Sequence, residues 1–311
     1  MSTLLLIEQI LNGLQSGVML FLMAAGLTLV FGVMGLINLA HGSLYMVGAF
    51  ACATVALLTG SFWLGLAASL AAAAAAGVLV EVTVLRRLYR RDHLDQVLAT
   101  FALILIFSEA ITFTQKQLTG TSLPMYLDPP ALLAGAVSLP FGIQYPAYRL
   151  AIIVAGLLVA VGLFLLIGKT RLGIRIRAGE SDREMIAALG VDIDRLYTLV
   201  FALGAALAGF AGAMVGAIQS VQVGMGEPVL ILAFVVIVIG GVGSIRGALW
   251  GALLVGLTDT LGRFLLPIGF EALMDPASAR AVGASLASML IYILMALVLI
   301  FRPTGLFGAR P

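Results

Sequence analysis

Nine stretches of the chain are almost wholly apolar, and each approaches the length that a helix needs to cross a bilayer. They cover 10–34, 42–59, 62–85, 97–115, 149–168, 196–218, 228–245, 247–268 and 283–301. A soluble globule could not bury them, because 62% of the 311 residues are hydrophobic and only 10% are charged. The sequence therefore predicts an all-α, polytopic bundle of about eight to nine transmembrane helices in a single transmembrane domain, 1–311.

The second run is shorter than most of its neighbours and begins at a polar break, Asn38-Leu39-Ala40-His41-Gly42. Non-helical backbone is tolerated at membrane depth only within protein or beside a cavity. We therefore predict a broken or re-entrant helix near 38–43. The single cysteine, Cys52, lies in this run, which predicts a buried packing role and excludes a disulfide framework.

Positive charge predicts which loops share a side of the membrane. Thirteen of the 17 Lys and Arg residues fall on one side of the nine-run map. They are Arg86, Arg87, Arg90, Arg91, Lys169, Arg171, Arg175, Arg177, Arg183, Arg195, Arg246, Arg302 and Arg310. The positive-inside rule makes this side cytoplasmic and places the C-terminus there. The N-terminus lies outside if the second run crosses the membrane, and inside if it does not.

Two polar segments interrupt the apolar pattern. The outer loop, at about 116–148, is rich in proline, which blocks helices and stiffens turns. The cytoplasmic segment, at about 169–195, is rich in charge. Neither is long enough for a soluble domain, so other chains must supply ligand recognition in solution and energy.

Two apparent nucleotide motifs fail on spacing. Gly168-Lys169-Thr170 lacks the earlier glycine of a phosphate-binding loop, because Leu163 stands in its place. In Gly241-Val242-Gly243-Ser244-Ile245-Arg246-Gly247, the last gap is one residue too long for a dinucleotide fingerprint. His41 and His93 are the only histidines and form no metal motif. We predict no cofactor, metal, catalytic residue or nucleic-acid partner for this chain.

Small residues in the later runs have two interpretations. They recur every four residues in two sets, Gly204, Ala208, Gly212 and Gly216, and Gly243, Gly247 and Gly251. Such stripes let helices approach closely in lipid. Alternatively, the break at 240–244 opens the bundle near a substrate route, with Gly241 and Gly243 beside it.

The cytoplasmic segment contains a predicted two-turn helix. Ser181 and Glu184 have the spacing of a capping box, and Gly190 can end the helix in a left-handed turn. Met185, Ile186 and Leu189 then form one apolar face. So short a helix is unstable in water, so it must dock either on its own membrane domain or in a groove of a cytosolic partner.

Four ionisable residues lie within or at the edge of apolar runs. Asp259 and Arg263 have the i,i+4 spacing of an ion pair, and Glu81 lies close to the basic loop. Glu109 has no evident partner, so it is the candidate for a proton or ion site.

Four segments resemble the permeases of branched-chain amino acid ABC transporters, and most closely the H-type subunit of the leucine/isoleucine/valine importers. They are Gly35–Ala49, the segment from Arg177-Ala178-Gly179 through Ala187-Ala188-Leu189-Gly190, Ile239–Ala248, and Arg302-Pro303-Thr304-Gly305-Leu306-Phe307-Gly308. They occur in the family's order and span nearly the whole chain. The resemblance implies a second, similar permease subunit, two cytosolic ATPase subunits that bind ATP, and an extracytoplasmic solute-binding protein.

The resulting hypothesis is a multi-pass subunit of the bacterial cytoplasmic membrane that imports branched-chain or similar apolar amino acids by alternating access. The candidate substrate pathway comprises Asn38, His41, Gly42, Ser43, Gly241 and Gly243; the candidate ATPase-coupling residues are Arg177, Ser181, Glu184, Ile186, Leu189 and Gly190. At the break, Asn38 and His41 could instead only satisfy a turn. The alternatives are an ABC permease for urea, short amides or other amino acids, and a stand-alone ion-coupled carrier supported by Glu109.

Overall fold

A computed structural model describes residues 3–89 and 91–308 of the chain. Two of the basic residues used to predict the cytoplasmic side, Arg90 and Arg310, lie outside the described residues. Each of the nine predicted apolar runs corresponds to a helix. Within the described chain, eight helices are long and apolar enough to cross a membrane.

The apolar helices before the cytoplasmic segment are α1 (Thr3–Met34), α2 (His41–Thr59), α3 (Phe62–Val80), α5 (His93–Thr119) and α6 (Ala147–Lys169). Helix α3 continues through a π-helical turn, Glu81–Leu85, into the short α4 (Arg86–Leu88). Gly60 and Gly120 end α2 and α5 in left-handed conformations that glycine adopts without a steric penalty.

The second half contains the short helices α7 (Arg171–Ser181) and α8 (Arg183–Ala188), followed by α9 (Ile193–Gly216), α10 (Gly226–Gly240), α11 (Ile245–Phe270) and α12 (Pro276–Phe301). Helix α10 has 15 residues and is the shorter apolar helix. Helix α7 was not predicted from the sequence, because its many arginines obscure any helical period. The chain forms two compact units, each built from segments distant in sequence.

The first unit comprises 1–21, 131–158 and 232–311. Its helices meet at glycines: a Cβ on Gly17 would lie 2.8 Å from the carbonyl oxygen of Ala252, and one on Gly283 would lie 2.8 Å from Cα of Pro267. The predicted all-α fold gains one small sheet here, because strands β1 (Ala136–Ser138) and β2 (Gln144–Pro146) pair antiparallel within the proline-rich loop.

The second unit comprises 22–130 and 159–231, with α2, α3 and α9 at its centre. The predicted stripe on α9 is confirmed at Gly204, where a Cβ would lie 2.9 Å from the carbonyl oxygen of Gly26. Close backbone approach of this kind is how helices associate in lipid. The stripe predicted on the other run is wrong at Gly243, which lies in a turn before α11 with φ of 80°.

Candidate functional site

The predicted break is present as a non-helical connection at 35–40 between α1 and α2, whereas α2 itself is continuous and is long and apolar enough to cross a membrane. The geometry of this connection follows from the local sequence. Helix α1 ends where Gly35 takes a left-handed conformation, φ of 65°, and donates its N–H to the carbonyl of Phe31 at 2.8 Å. The chain is then non-helical until Asn38, whose side-chain Oδ1 accepts the N–H of Ala40 at 3.0 Å. This side-chain turn redirects the backbone into α2, which begins at His41.

Polar groups around this break are buried without hydrogen-bond partners. Asn38, His41 and Ser43 have relative exposures of 0–2%. They contribute four of the six buried side-chain atoms that lack a partner within the described chain: Asn38 Nδ2, both ring nitrogens of His41, and Ser43 Oγ. Each orphaned group costs about 1–3 kcal/mol, so their concentration here requires an explanation.

Glycines bring neighbouring helices against this buried cluster. A Cβ on Gly26 would lie 3.0 Å from Nε2 of His41 and 2.6 Å from the carbonyl oxygen of Gly204. A Cβ on Gly42 would lie 2.8 Å from the carbonyl oxygen of Gly226, the first residue of α10. The N-terminal turn of α2 therefore abuts the N-terminus of α10.

This arrangement can recognise a small anionic group. The N-cap of α2, Ala40, gives its first turn no side-chain hydrogen bond, and helix N-termini carry partial positive charge. Transporters use such discontinuous helix ends for substrate carboxylates. Because the polar atoms are fully buried in this conformation, a ligand would reach them only after the surrounding helices separate. Sequence reasoning missed Gly226, whose surroundings have the composition of a loop.

The other two predicted pathway residues, Gly241 and Gly243, belong to the first unit and have φ of 100° and 80°. Their turn supports the C-terminal segment: the N–H groups of Leu306 and Phe307 donate to the carbonyls of Ile239 and Gly240, each at 2.9 Å. The backbone of this break is thus used for packing.

The predicted coupling helix exists as α8, with a different cap. Asp182, rather than Ser181, accepts the N–H of Met185, at 2.9 Å. Ser181 instead ends α7, because Asp182 leaves the helical conformation and is the N-cap of α8. Glu184 lies in the first turn, and the predicted left-handed Gly190 is confirmed with φ of 84°.

The apolar face of this helix is divided between two directions. Ile186 is 4% exposed and packs within the chain, whereas Met185 and Leu189 are 60% and 76% exposed. The buried Ile186 therefore fits docking on the chain's own membrane domain, and the exposed Met185 and Leu189 fit docking in a groove of a cytosolic partner. The Arg177 guanidinium is directed back to the carbonyl of Ile167 at the end of α6.

A charged cavity of about 630 Å³ lies beside α8. It is lined by Arg86, Tyr89, Arg183, Glu184, Ala187, Ile193, Asp194 and Tyr197. Beneath it, the fully buried Glu81 accepts hydrogen bonds from Thr198 Oγ1 at 2.7 Å, the Tyr89 hydroxyl at 2.9 Å and Arg86 at 3.2 Å. Burial and the Glu81 carboxylate raise the pKa of the Tyr89 hydroxyl. This network joins the π-helical turn to α9.

The remaining ionisable residues of the spans differ in their pairing. The predicted pair is confirmed, because Nε of Arg263 lies 2.8 Å from Oδ1 of Asp259. Glu109 is exposed on α5 and makes no hydrogen bond or ion pair with the described residues.

Known permeases resemble this chain over nearly its whole length. A family model described as "Branched-chain amino acid transport system / permease component" matches residues 9–299. The chain is 32% identical to the high-affinity branched-chain amino acid transport system permease protein BraD of Pseudomonas aeruginosa, over 98% of this chain and 96% of that protein. It is 26% identical to LivH of Escherichia coli over the same shares, and 29% identical to LivM of Escherichia coli over 92% of this chain and 67% of LivM. No solved structure matches the chain.

Proposed function

Since the chain belongs to the family of branched-chain amino acid transport permeases, we propose that it is a membrane subunit of an ATP-driven importer for branched-chain or similar apolar amino acids. It changes no bond of the substrate. It moves the substrate across a bacterial cytoplasmic membrane by alternating between outward-open and inward-open states. The observation that carries the pathway assignment is the buried cluster of unpartnered polar atoms around 38–43.

The proposed assembly has four kinds of partner: a second permease subunit, two cytosolic ATPase subunits, an extracytoplasmic solute-binding protein and the lipid membrane. ATP is bound by the ATPase subunits, and this chain holds no cofactor. The basic residues of α7 and α8 support a cytoplasmic position for these two helices. The C-terminus lies on the same side in the proposed topology.

We assign to α8 the coupling between the ATPase subunits and the membrane-spanning helices. Its buried Ile186 anchors the helix to the membrane domain, while Met185 and Leu189 are free to enter a groove of an ATPase subunit. A movement of the ATPases would reach the bundle through Ile186 and through the Glu81 network beside the charged cavity.

The substrate pathway is assigned to the break. Asn38, His41 and Ser43 supply polar contacts, and Gly42 lets the two helix N-termini approach each other. An amino-acid carboxylate suits the positive end of α2, whose first turn contains no acidic residue, and the apolar residues around it suit a branched side chain.

The test of function is uptake of radiolabelled leucine by proteoliposomes that contain the purified assembly, the binding protein and enclosed ATP. We expect ATP-dependent uptake in which excess isoleucine and valine compete and urea or acetamide does not. Competition by urea or an amide alone would overturn the substrate class. Uptake by this chain alone under an ion gradient would overturn the ATP-driven class.

The coupling assignment is tested with Leu189→Asp, and Lys169→Ala serves as the control at an exposed position outside α8. We expect Leu189→Asp to lower ATPase co-purification and uptake at least tenfold, because a charge would enter an apolar groove. Wild-type co-purification of the ATPases with Leu189→Asp would contradict this assignment.

A further inference from the structure

Glu109 is an acidic residue that the proposed mechanism leaves without a role. It lies well inside α5, with 16 helical residues before it and 10 after it in the helix His93–Thr119. Its side chain is exposed, and no described residue pairs with it. A carboxylate at such a position is costly against lipid, so it faces protein or water in the functional assembly.

The surface around Glu109 is apolar. Leu98, Leu105, Ile106 and Phe113 lie on the same side of the helix and are 55–66% exposed. We call this surface, with Glu109 and Lys116, the outward face of α5. The opposite side packs inside the chain, where Phe107 and Ile111 contact the cluster of buried residues around Phe50.

Two other acidic residues lie well inside spans, and both have partners within the chain. Glu81 is fully buried and accepts three side-chain hydrogen-bond donors, and Asp259 pairs with Arg263. None of the described residues supplies such a partner to Glu109, so its cation comes from another chain in this inference.

We propose that the outward face of α5 is the contact surface for a second permease subunit, and that this subunit presents a cationic side chain to Glu109. This inference rests on the proposed function, because it requires a permease pair. The core of an interface is apolar and poor in charge, so a single carboxylate there needs a cationic partner that offsets its desolvation.

The partner is a different chain rather than a second copy. In a twofold pair with its axis along the membrane normal, each residue meets the partner at its own depth. A second copy that docked through this same face would present at the depth of Glu109 only another Glu109 and its apolar neighbours. The basic residue of the outward face, Lys116, lies seven residues further on, which is about 10 Å along the helix axis, so a second copy offers no cation at the right depth.

The first test maps the interface by photo-crosslinking in the assembled complex. Benzoylphenylalanine replaces Phe113 on the outward face of α5 or, as the control, Tyr292 on α12, which is also exposed at 46%. We expect an adduct with the second permease from position 113 and none from position 292. An adduct from position 292 alone, or an adduct at 113 with a second copy of this chain, would overturn the inference.

The second test concerns the charge. Glu109→Lys should lower co-purification of the second permease at least tenfold, Glu109→Gln should lower it severalfold, and Glu109→Asp should retain most of it. If Glu109→Lys keeps the subunits together but raises the KM for leucine, the carboxylate meets the substrate ammonium and the proposal is wrong. If the wild-type chain recovers no second permease, the proposed function itself fails, whereas loss only in Glu109→Lys supports the interface.

Discussion

The two interhelical breaks, at 35–40 and 241–244, both begin at a glycine with a positive φ but differ in their polar chemistry. Each contains one polar side chain, Asn38 or Ser244, and both were predicted to lie beside the substrate route. At the second break the N–H of Gly241 donates to Ile237, that of Ser244 donates to Gly241, and the Ser244 hydroxyl caps α11 through Gly247. At the first break, side-chain atoms of Asn38 and His41 stay buried and unpartnered.

The difference separates a break that shapes the fold from one available for binding. A satisfied turn contributes stability and loses it when altered. An unsatisfied buried cluster lowers stability, and such a cost is retained where a ligand or a second conformation completes the hydrogen bonds. The comparison therefore predicts that variants at 241–244 affect folding, whereas variants at 38–43 affect transport.

The largest expected effect is at Gly241. An alanine there would adopt φ of 100° and place its Cβ 2.8 Å from Cα of Gly308 and 3.0 Å from the carbonyl oxygen of Thr304. We expect Gly241→Ala to destabilise the protein by about 3 kcal/mol or more, because backbone strain and a steric clash combine. Thermal unfolding in detergent, followed by fluorescence-detected size exclusion, measures this.

The matched control for that prediction is Gly60→Ala. Gly60 also has a positive φ, 68°, but no atom lies within 4 Å of the position of a new Cβ. It therefore isolates the backbone penalty, about 1–2 kcal/mol. Equal losses of unfolding free energy in the two variants would show that the packing of the C-terminal segment against Gly241 contributes nothing to stability.

The next effect is at His41, where stability and transport should change in opposite directions. His41→Leu replaces a buried ring with two unpartnered nitrogens by an apolar side chain of similar volume. We expect the unfolding free energy to rise by about 1 kcal/mol and leucine uptake to fall at least tenfold. Uptake per assembled complex and thermal unfolding of the same preparation are the measurements. Wild-type uptake with raised stability would assign His41 to packing alone.

The positions of the helices were predictable from sequence because apolar run length reports directly on lipid crossing. The break at Asn38 was also predictable, because an asparagine and a histidine interrupt an apolar pattern. Hydrogen-bond satisfaction was not predictable, because the carbonyls of Ile239 and Gly240 accept the N–H groups of Leu306 and Phe307, some 67 residues further along the chain. The same limit explains the cap of α8: Ser181 and Asp182 are both good N-caps, and only the backbone conformation decides between them.

The smallest expected effect compares two serines, Ser244 and Ser43. The Ser244 hydroxyl accepts the N–H of Gly247 at 3.0 Å, so Ser244→Ala should cost about 1 kcal/mol through loss of the cap and leave uptake per folded complex unchanged. The Ser43 hydroxyl is buried without a partner, so Ser43→Ala should leave stability equal or slightly higher while uptake falls severalfold. The two variants remove the same atom, so differences in side-chain size cannot produce the contrast. If Ser43→Ala loses stability and retains uptake, as Ser244→Ala is expected to do, the two breaks are both structural and the substrate pathway lies elsewhere in the bundle.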